Sequence, residues 1–286
     1  MYKMKTKKLI INGDDFGMHA SINQAIENSF EKGILTSASL VANGDAFLEA
    51  VSIAKKNPNL GVGIHLTLNG GKPISPRHKI ETLLDQKGEL IESHFDLCSM
   101  ILKKKVVLEH IRTEYISQIE KILDFGLKPT HVDGHRHLHL FPPIFLLLKD
   151  VLKKFNLNKV RMLNIPTVDW QWMKIKKMAL MGILGFSKKL NRGKFKSPDY
   201  FLGFFQSGNI NQRYIKKMLP NLKSGVTEIN FHPAMSDIEM EKKFCFWRKK
   251  YNWVGSWEQE YNVLIDQEII NFIHRNGIRL MNYNHI

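Results

Sequence analysis

Cysteine is nearly absent from this chain: Cys98 and Cys245 are its only two, and they form no Cys-x-x-Cys pair. That scarcity argues against a disulfide framework and a thiolate metal site, and suits a reducing compartment. Long apolar runs are missing too. No stretch approaches the roughly 20 residues of a membrane-spanning helix, and the apolar run Leu9 to Ile11 is far too short for the core of a signal peptide. A cytoplasmic location is the expectation. The chain has no phosphate-cradling glycine loop of the G-x-x-x-x-G-K-[ST] or G-x-G-x-x-G type, and no G-x-S-x-G elbow to support a serine nucleophile. There is also no internal repeat and no low-complexity linker. Acid is in short supply, with 27 Asp and Glu against 42 Lys and Arg, a net charge of +15. Such an excess attracts polyanions; a proteome rich in Lys, Asn and Ile is the plainer explanation.

What is present is a folded-protein composition, 43% hydrophobic and 24% charged over 286 residues. Short β-rich runs alternate with helical periodicity, the pattern of a largely parallel sheet or barrel. Strands are expected at Lys8–Asn12, Ser37–Ala42, Gly61–Leu66, Thr130–Asp133, Lys159–Leu163, Thr227–Phe231 and Arg279–Asn282. Helices are expected between them, the last as one unit over Glu258–Asn276. About seven strands in βα order predict a single α/β domain, a TIM-barrel-like (β/α) barrel, with insertions near 69–107 and 165–205 over the rim where the strands end. An active site belongs at that rim.

Four of these strand ends carry Asp or His. The first runs into Asn12-Gly13-Asp14-Asp15-Phe16-Gly17, the third into His65, the fourth into His131-Val132-Asp133-Gly134-His135-Arg136-His137-Leu138-His139, and the sixth into His232-Pro233. Adjacent carboxylates repel each other unless a positive charge lies beside them, and one Asp with two His is a common open set for a catalytic metal. Taken singly, each has a plainer account. Asp14-Asp15 could be a turn with a helix cap, His65 a hydrogen-bonded core residue, and His232 a structural residue before proline. Their convergence on one rim favours the metal. At most two of the alternating histidines can ligate one ion, which leaves His137 and His139 to position substrate or support the ligands. Asp133 orients a ligand histidine, contacts substrate or makes a turn before Gly134.

The stretches NGDDFG (12–17), GILTSASLVANG (33–44), GVGIHLTL (61–68), KPTHVDGHRHLHLFP (128–142) and GVTEINFHPA (225–234) resemble, in order, those of the YdjC-like carbohydrate deacetylase family, which includes chitooligosaccharide deacetylases and hopanoid-associated proteins. The resemblance implies a barrel-like fold, a divalent metal, Mg²⁺ or Zn²⁺, held by Asp15, His65 and His135, and Asp14 as the base in hydrolysis of an N-acetylated amino sugar. His232 is the candidate acid for the leaving amine. The two insertions match least.

From Trp170 to Lys196 the chain carries eight Lys or Arg and no acid, around an apolar run from Met178 to Phe186. Trp170, Trp172, Lys176, Lys177, Lys188 and Lys189 fit a helix lying on an anionic inner-membrane surface; a core-packed helix with a solvated basic face fits the same pattern. On the membrane reading the sugar is carried on a polyprenyl phosphate or another envelope lipid, as in lipid A modification. A soluble chitooligosaccharide is the competing substrate. Nucleic acid is not favoured, since no recognition motif accompanies the charge. A homo-oligomer stays open. Two other classes compete: a metal-dependent sugar isomerase or phosphoesterase, and a non-enzymatic membrane-binding protein.

Overall fold

The computed structural model describes residues 6–172, 175–239, 242, 245 and 257–286, with the backbone alone for 175–179. Strands β1 (Lys7–Phe16), β2 (Ser37–Leu40), β3 (Gly61–Leu66), β4 (Val132–Gly134), β5 (Tyr200–Leu202), β6 (Gly225–Phe231) and β7 (Arg279–Leu280) form one parallel sheet. The order is β4-β3-β2-β1-β6-β5, with β7 also paired to β1. The sheet curls. Its two edges are joined through the extended segment 158–164, which bridges Val132 on one side through Val160 and reaches Lys196 and Phe201 on the other. Parallel strands bring all their C-terminal ends to the same rim.

Helices α1 (Ala20–Lys32), α2 (Phe47–Lys56), α3 (His94–Leu102), α4 (Leu108–Asp124), α5 (Pro142–Lys154), α6 (Ile175–Asn191), α7 (Gln212–Met218), α8 (Trp257–Leu264) and α9 (Gln267–Arg275) connect the strands or follow them. Their apolar residues recur at helical spacing, so each buries one stripe. In α1 these are Ile22, Ala25 and Ile26; in α5 they are Ile144, Phe145, Leu148, Val151 and Leu152. Proline at the start of α5 suits a position whose backbone N–H has no partner within the helix. The central strand β1 is buried from Leu9 to Phe16, as expected for a strand covered on both faces.

Three expectations change. The Lys159–Leu163 run makes single bridges rather than a full ladder, because it spans the gap between two short edge strands. The segment 165–205 is not wholly an insertion, since β5 lies inside it and pairs with β6. The last helix is two. Asp266 accepts from the backbone N–H groups of Glu268 and Ile269, so its side chain starts α9 where a continuous helix was expected.

Candidate metal centre and cleft

Neighbouring residues of a regular strand point to opposite faces, so Asp14 and Asp15 could not share a site without a break in β1. The break is a bulge. Gly13 pairs with Ala38 but Phe16 pairs with Leu40, leaving one extra residue on β1. Asp15 takes a left-handed backbone, φ 66°, which turns its carboxylate toward the rim. Asp14 keeps the inward direction of Asn12, whose amide donates to it at 2.8 Å.

At the rim Asp15 meets His65 from the end of β3 and His135 from just past β4. Its Oδ1 is 3.0 Å from His135 Nδ1 and 3.5 Å from His65 Nε2. One ligand atom from each of the three residues lies within 4.8 Å of the others. Asp15 is 6% exposed and His65 2%. Burial alone would raise the Asp15 pKa, but His135 and His65 hold it well below the usual carboxylate range. His65 is fixed from behind: its Nδ1 is 2.7 Å from Asp133 Oδ1. Burial disfavours charge on that ring, yet Asp133, Asp15 and Asp14 lift its pKa to about 10. His135 moves the other way, because burial outweighs Asp15 and lowers its pKa.

Beneath the rim lies a second cluster, centred on a residue that the sequence reading missed. Arg161, fully buried, clasps Asp14 with two N–H···O contacts of 2.8 Å, reaches Asp133 Oδ2 at 2.8 Å, and donates to Glu228 Oε1 through Nε at 2.9 Å. Asp14, His65 and Asp133 could also frame a cation, but there the guanidinium supplies the positive charge. Burial pushes Asp14 up and Arg161 more than offsets it, so the carboxylate is held ionised below its ordinary range. Burial lifts the Glu228 pKa to about 7 against the pull of Arg161, and Tyr283 donates its hydroxyl to that carboxylate.

The remaining predicted residues divide. His232 follows β6, with Nε2 3.9 Å from Asp14 Oδ2 and Nδ1 3.8 Å from Glu260 Oε2. Burial opposes its charge, but Glu260, Asp14 and Asp15 raise its pKa overall. Glu260, also missed, fixes that corner by accepting from the His232 backbone N–H at 2.6 Å. His139 and Asp133 are fully buried and cannot meet substrate. The His139 ring, kept neutral by burial with its pKa lowered to about 4, donates through Nε2 to the Arg161 carbonyl at 3.0 Å; Asp133 holds His65, Ser39 and Arg161. His137 is half-buried against Phe201 and Phe204. His131 is core: it stacks on Tyr283 at 3.8 Å, directly over Gly63, where any Cβ would strike the ring.

Asp15 and His135 form part of the wall of a cleft of about 430 Å³, which also includes Asn43, Asp45, Asn69, Lys72, Glu89, Glu92, Arg136 and Trp257. The basic segment lies elsewhere. There α6 buries Leu184 and leaves Ile183 and Phe186 about half exposed (48% each), while Trp170 is 47% exposed. Trp172 is partly buried and packs against the core and Tyr214, at 5.6 Å between rings, rather than standing exposed with Trp170. Lys188 is exposed and donates to Asn164 at 2.8 Å; Lys189 is exposed, and the side chains of Lys176 and Lys177 lie outside the described residues. Among the described residues, no helix is long and apolar enough to cross a membrane.

Comparison with known proteins places this arrangement. A protein named carbohydrate deacetylase from Clostridium beijerinckii is 30% identical over 98% of this chain and 100% of its own length. One of the same name from Thermoanaerobacter pseudethanolicus is 29% identical over 97% of this chain and 98% of its own. A crystal structure from Enterococcus faecalis V583, described as a candidate cellobiose-phosphate cleavage protein, superposes with a TM-score of 0.77 at 29% identity, covering 98% of each chain. The profile of the YdjC-like protein family matches residues 8–275, and the chain belongs to that family.

Proposed function

We propose that this protein is a carbohydrate deacetylase, a hydrolase that cleaves the N-acetyl amide of an amino sugar with one divalent ion, Mg²⁺ or Zn²⁺, held by Asp15, His65 and His135. The observation that carries the reading is the convergence of those three side chains, ligand atoms within 4.8 Å, with Asp15 and His135 on the wall of an open cleft and an ionised Asp14 next in sequence. The donor set suits such an ion. It offers one carboxylate and two imidazoles, and His65 is oriented by Asp133 on its far nitrogen, the support a ligating histidine needs. The names of the relatives point the same way.

When bound, a divalent ion polarises an acyl carbonyl and makes a neighbouring water more acidic. The chain supplies the rest. Asp14 accepts the proton of the attacking water, through Oδ2. That oxygen faces His232 at 3.9 Å and accepts from Arg161 at 2.8 Å and from the Asn230 amide at 3.2 Å. Arg161 keeps Asp14 ionised and in place. His232, its charged form favoured by Glu260, delivers a proton to the departing amine. The deciding experiment is acetate release from a panel of N-acetylated sugars, with Mg²⁺ or Zn²⁺ and with chelator. Chelator-sensitive release is expected, and no release from any sugar with either ion would overturn the proposal.

The half-exposed Ile183, Phe186 and Trp170 beside Lys188 and Lys189 favour a second reading, attachment to an anionic lipid surface with a lipid-linked sugar as substrate. Flotation with anionic vesicles at moderate salt tests it, and failure to float removes it without touching the deacetylase reading.

A further inference from the structure

The cleft has a floor that the metal chemistry does not use. Asn69 is 2% exposed, its Nδ2 spends its reach on the Glu92 carbonyl at 3.4 Å, and its Oδ1 has no hydrogen-bond partner. Asn43, in the same wall, donates through Nδ2 to the Lys72 carbonyl at 3.0 Å, and its Oδ1 is likewise unpartnered. A buried acceptor left without a donor is costly, so such an atom in a native fold calls for an explanation.

The loop that carries Asn69 is clamped. Gln118 grips Thr67 from both sides, accepting from its N–H at 2.9 Å and donating to its carbonyl at 2.6 Å. Gln118 also donates to the buried Glu114, whose two oxygens take the backbone N–H groups of Ile74 and Ser75. Between these anchors Gly70 and Gly71 both turn left-handed, φ 75° and 78°, and their backbones bond to Leu90. A floppy loop would rotate its amide to find a partner. This one holds the oxygen in place, as a pre-organised binding group must be held.

Both unpartnered atoms are acceptors, and Asp45, Glu89 and Glu92 add carboxylates to the same lining, against the cations Lys72 and Arg136. An acceptor-rich wall recognises donors. We infer that Asn69, with Asn43 in the same lining, is a substrate-binding residue that accepts a hydrogen bond from a hydroxyl group of the N-acetylated amino sugar; the group seated against it is a donor and not an anion. The identity of the ligand as a sugar rests on the proposed function above.

Calorimetric titration of N,N′-diacetylchitobiose and its monodeoxy analogues into the full chain, stripped of metal by chelator, reads binding without turnover. Wild type should bind the parent and lose about tenfold toward one analogue, while Asn69→Ala binds the parent about tenfold more weakly and no longer discriminates against that analogue. Asn69→Asp, which keeps an acceptor, should retain most of the affinity. The inference is overturned if wild type fails to bind the parent, if Asn69→Ala binds it unchanged, if the losses simply add, or if Asn69→Asp loses as much as Asn69→Ala. Should Asn69→Ala melt far below wild type, Asn43→Ala carries the same cycle through the second oxygen. Sugar binding without acetate release in Mg²⁺ or Zn²⁺ would sink the deacetylase reading alone; acetate release with unchanged Asn69→Ala affinity would sink this one alone.

Discussion

Asp14 and Asp15 are sequence neighbours that the fold treats in opposite ways. Asp14 points into the barrel, where Arg161, Asn12 and Asn230 answer its charge from within the protein. Asp15 points at the cleft, where the imidazoles of His65 and His135 face it. The inner cluster is held by a guanidinium, and the rim cluster by imidazoles. Structural and chemical burial of charge therefore differ in how completely the chain supplies the partner, and here a single bulge separates them.

Breaking the inner cluster should have the largest effect. Arg161→Met leaves Asp14, Asp133 and Glu228 without their shared cation, and removing one partner of a buried ion pair costs about 3–5 kcal/mol; thermal unfolding should register that loss. Next comes the division of labour itself. Asp14→Asn is expected to keep the metal and lose turnover by roughly 10²–10⁴-fold, whereas His135→Ala loses the metal. Dialysed metal content measured alongside acetate release separates them, and equal metal loss in both variants would mean Asp14 is misassigned.

A smaller effect sharpens the link between the clusters. Asp133→Asn weakens the hold on His65, so metal affinity should drop about 10–100-fold, readable by competition with a chromogenic chelator. An unchanged affinity would leave Asp133 serving Arg161 alone. The smallest effect concerns pH. Because Glu260 raises the His232 pKa, the protonated ring survives to higher pH than a free imidazole, and activity that needs it declines as pH rises through the raised value. Glu260→Gln should move that alkaline decline to lower pH, and a profile that does not move would remove His232 as the acid.

Much of the architecture is legible in the sequence. Alternation of β and helical patterns predicts a parallel α/β barrel and places six of its seven strands, and polar residues at strand ends mark the rim where Asp15, His65 and His135 meet. Arg161 belongs to no motif, and its signal is an arginine inside the apolar run Val160-Arg161-Met162-Leu163. A strand that buries an arginine must bury acids to match, and Asp14, Asp133 and Glu228 all stood at strand positions. Strand β5 was hidden because three residues after Ser197-Pro198-Asp199 carry too little alternation to stand out. Glu260 lies on a helix far along the chain and carried no motif. His139 misled, since its spacing matched the other histidines while its ring turns inward to a backbone carbonyl.

The first strand draws its neighbours from β2, close to it in sequence, and from β6 and β7, far along the chain. Its partners include β6, more than 200 residues later (Lys7 pairs with Gly225), and β7 near the C-terminus. During synthesis the stretch that carries both aspartates must therefore wait, its ladder half unmade, until β6 and β7 have been made. Contacts so distant along the chain slow folding and lengthen the time an apolar strand stays bare. A chaperone that shields nascent chains would find its target here.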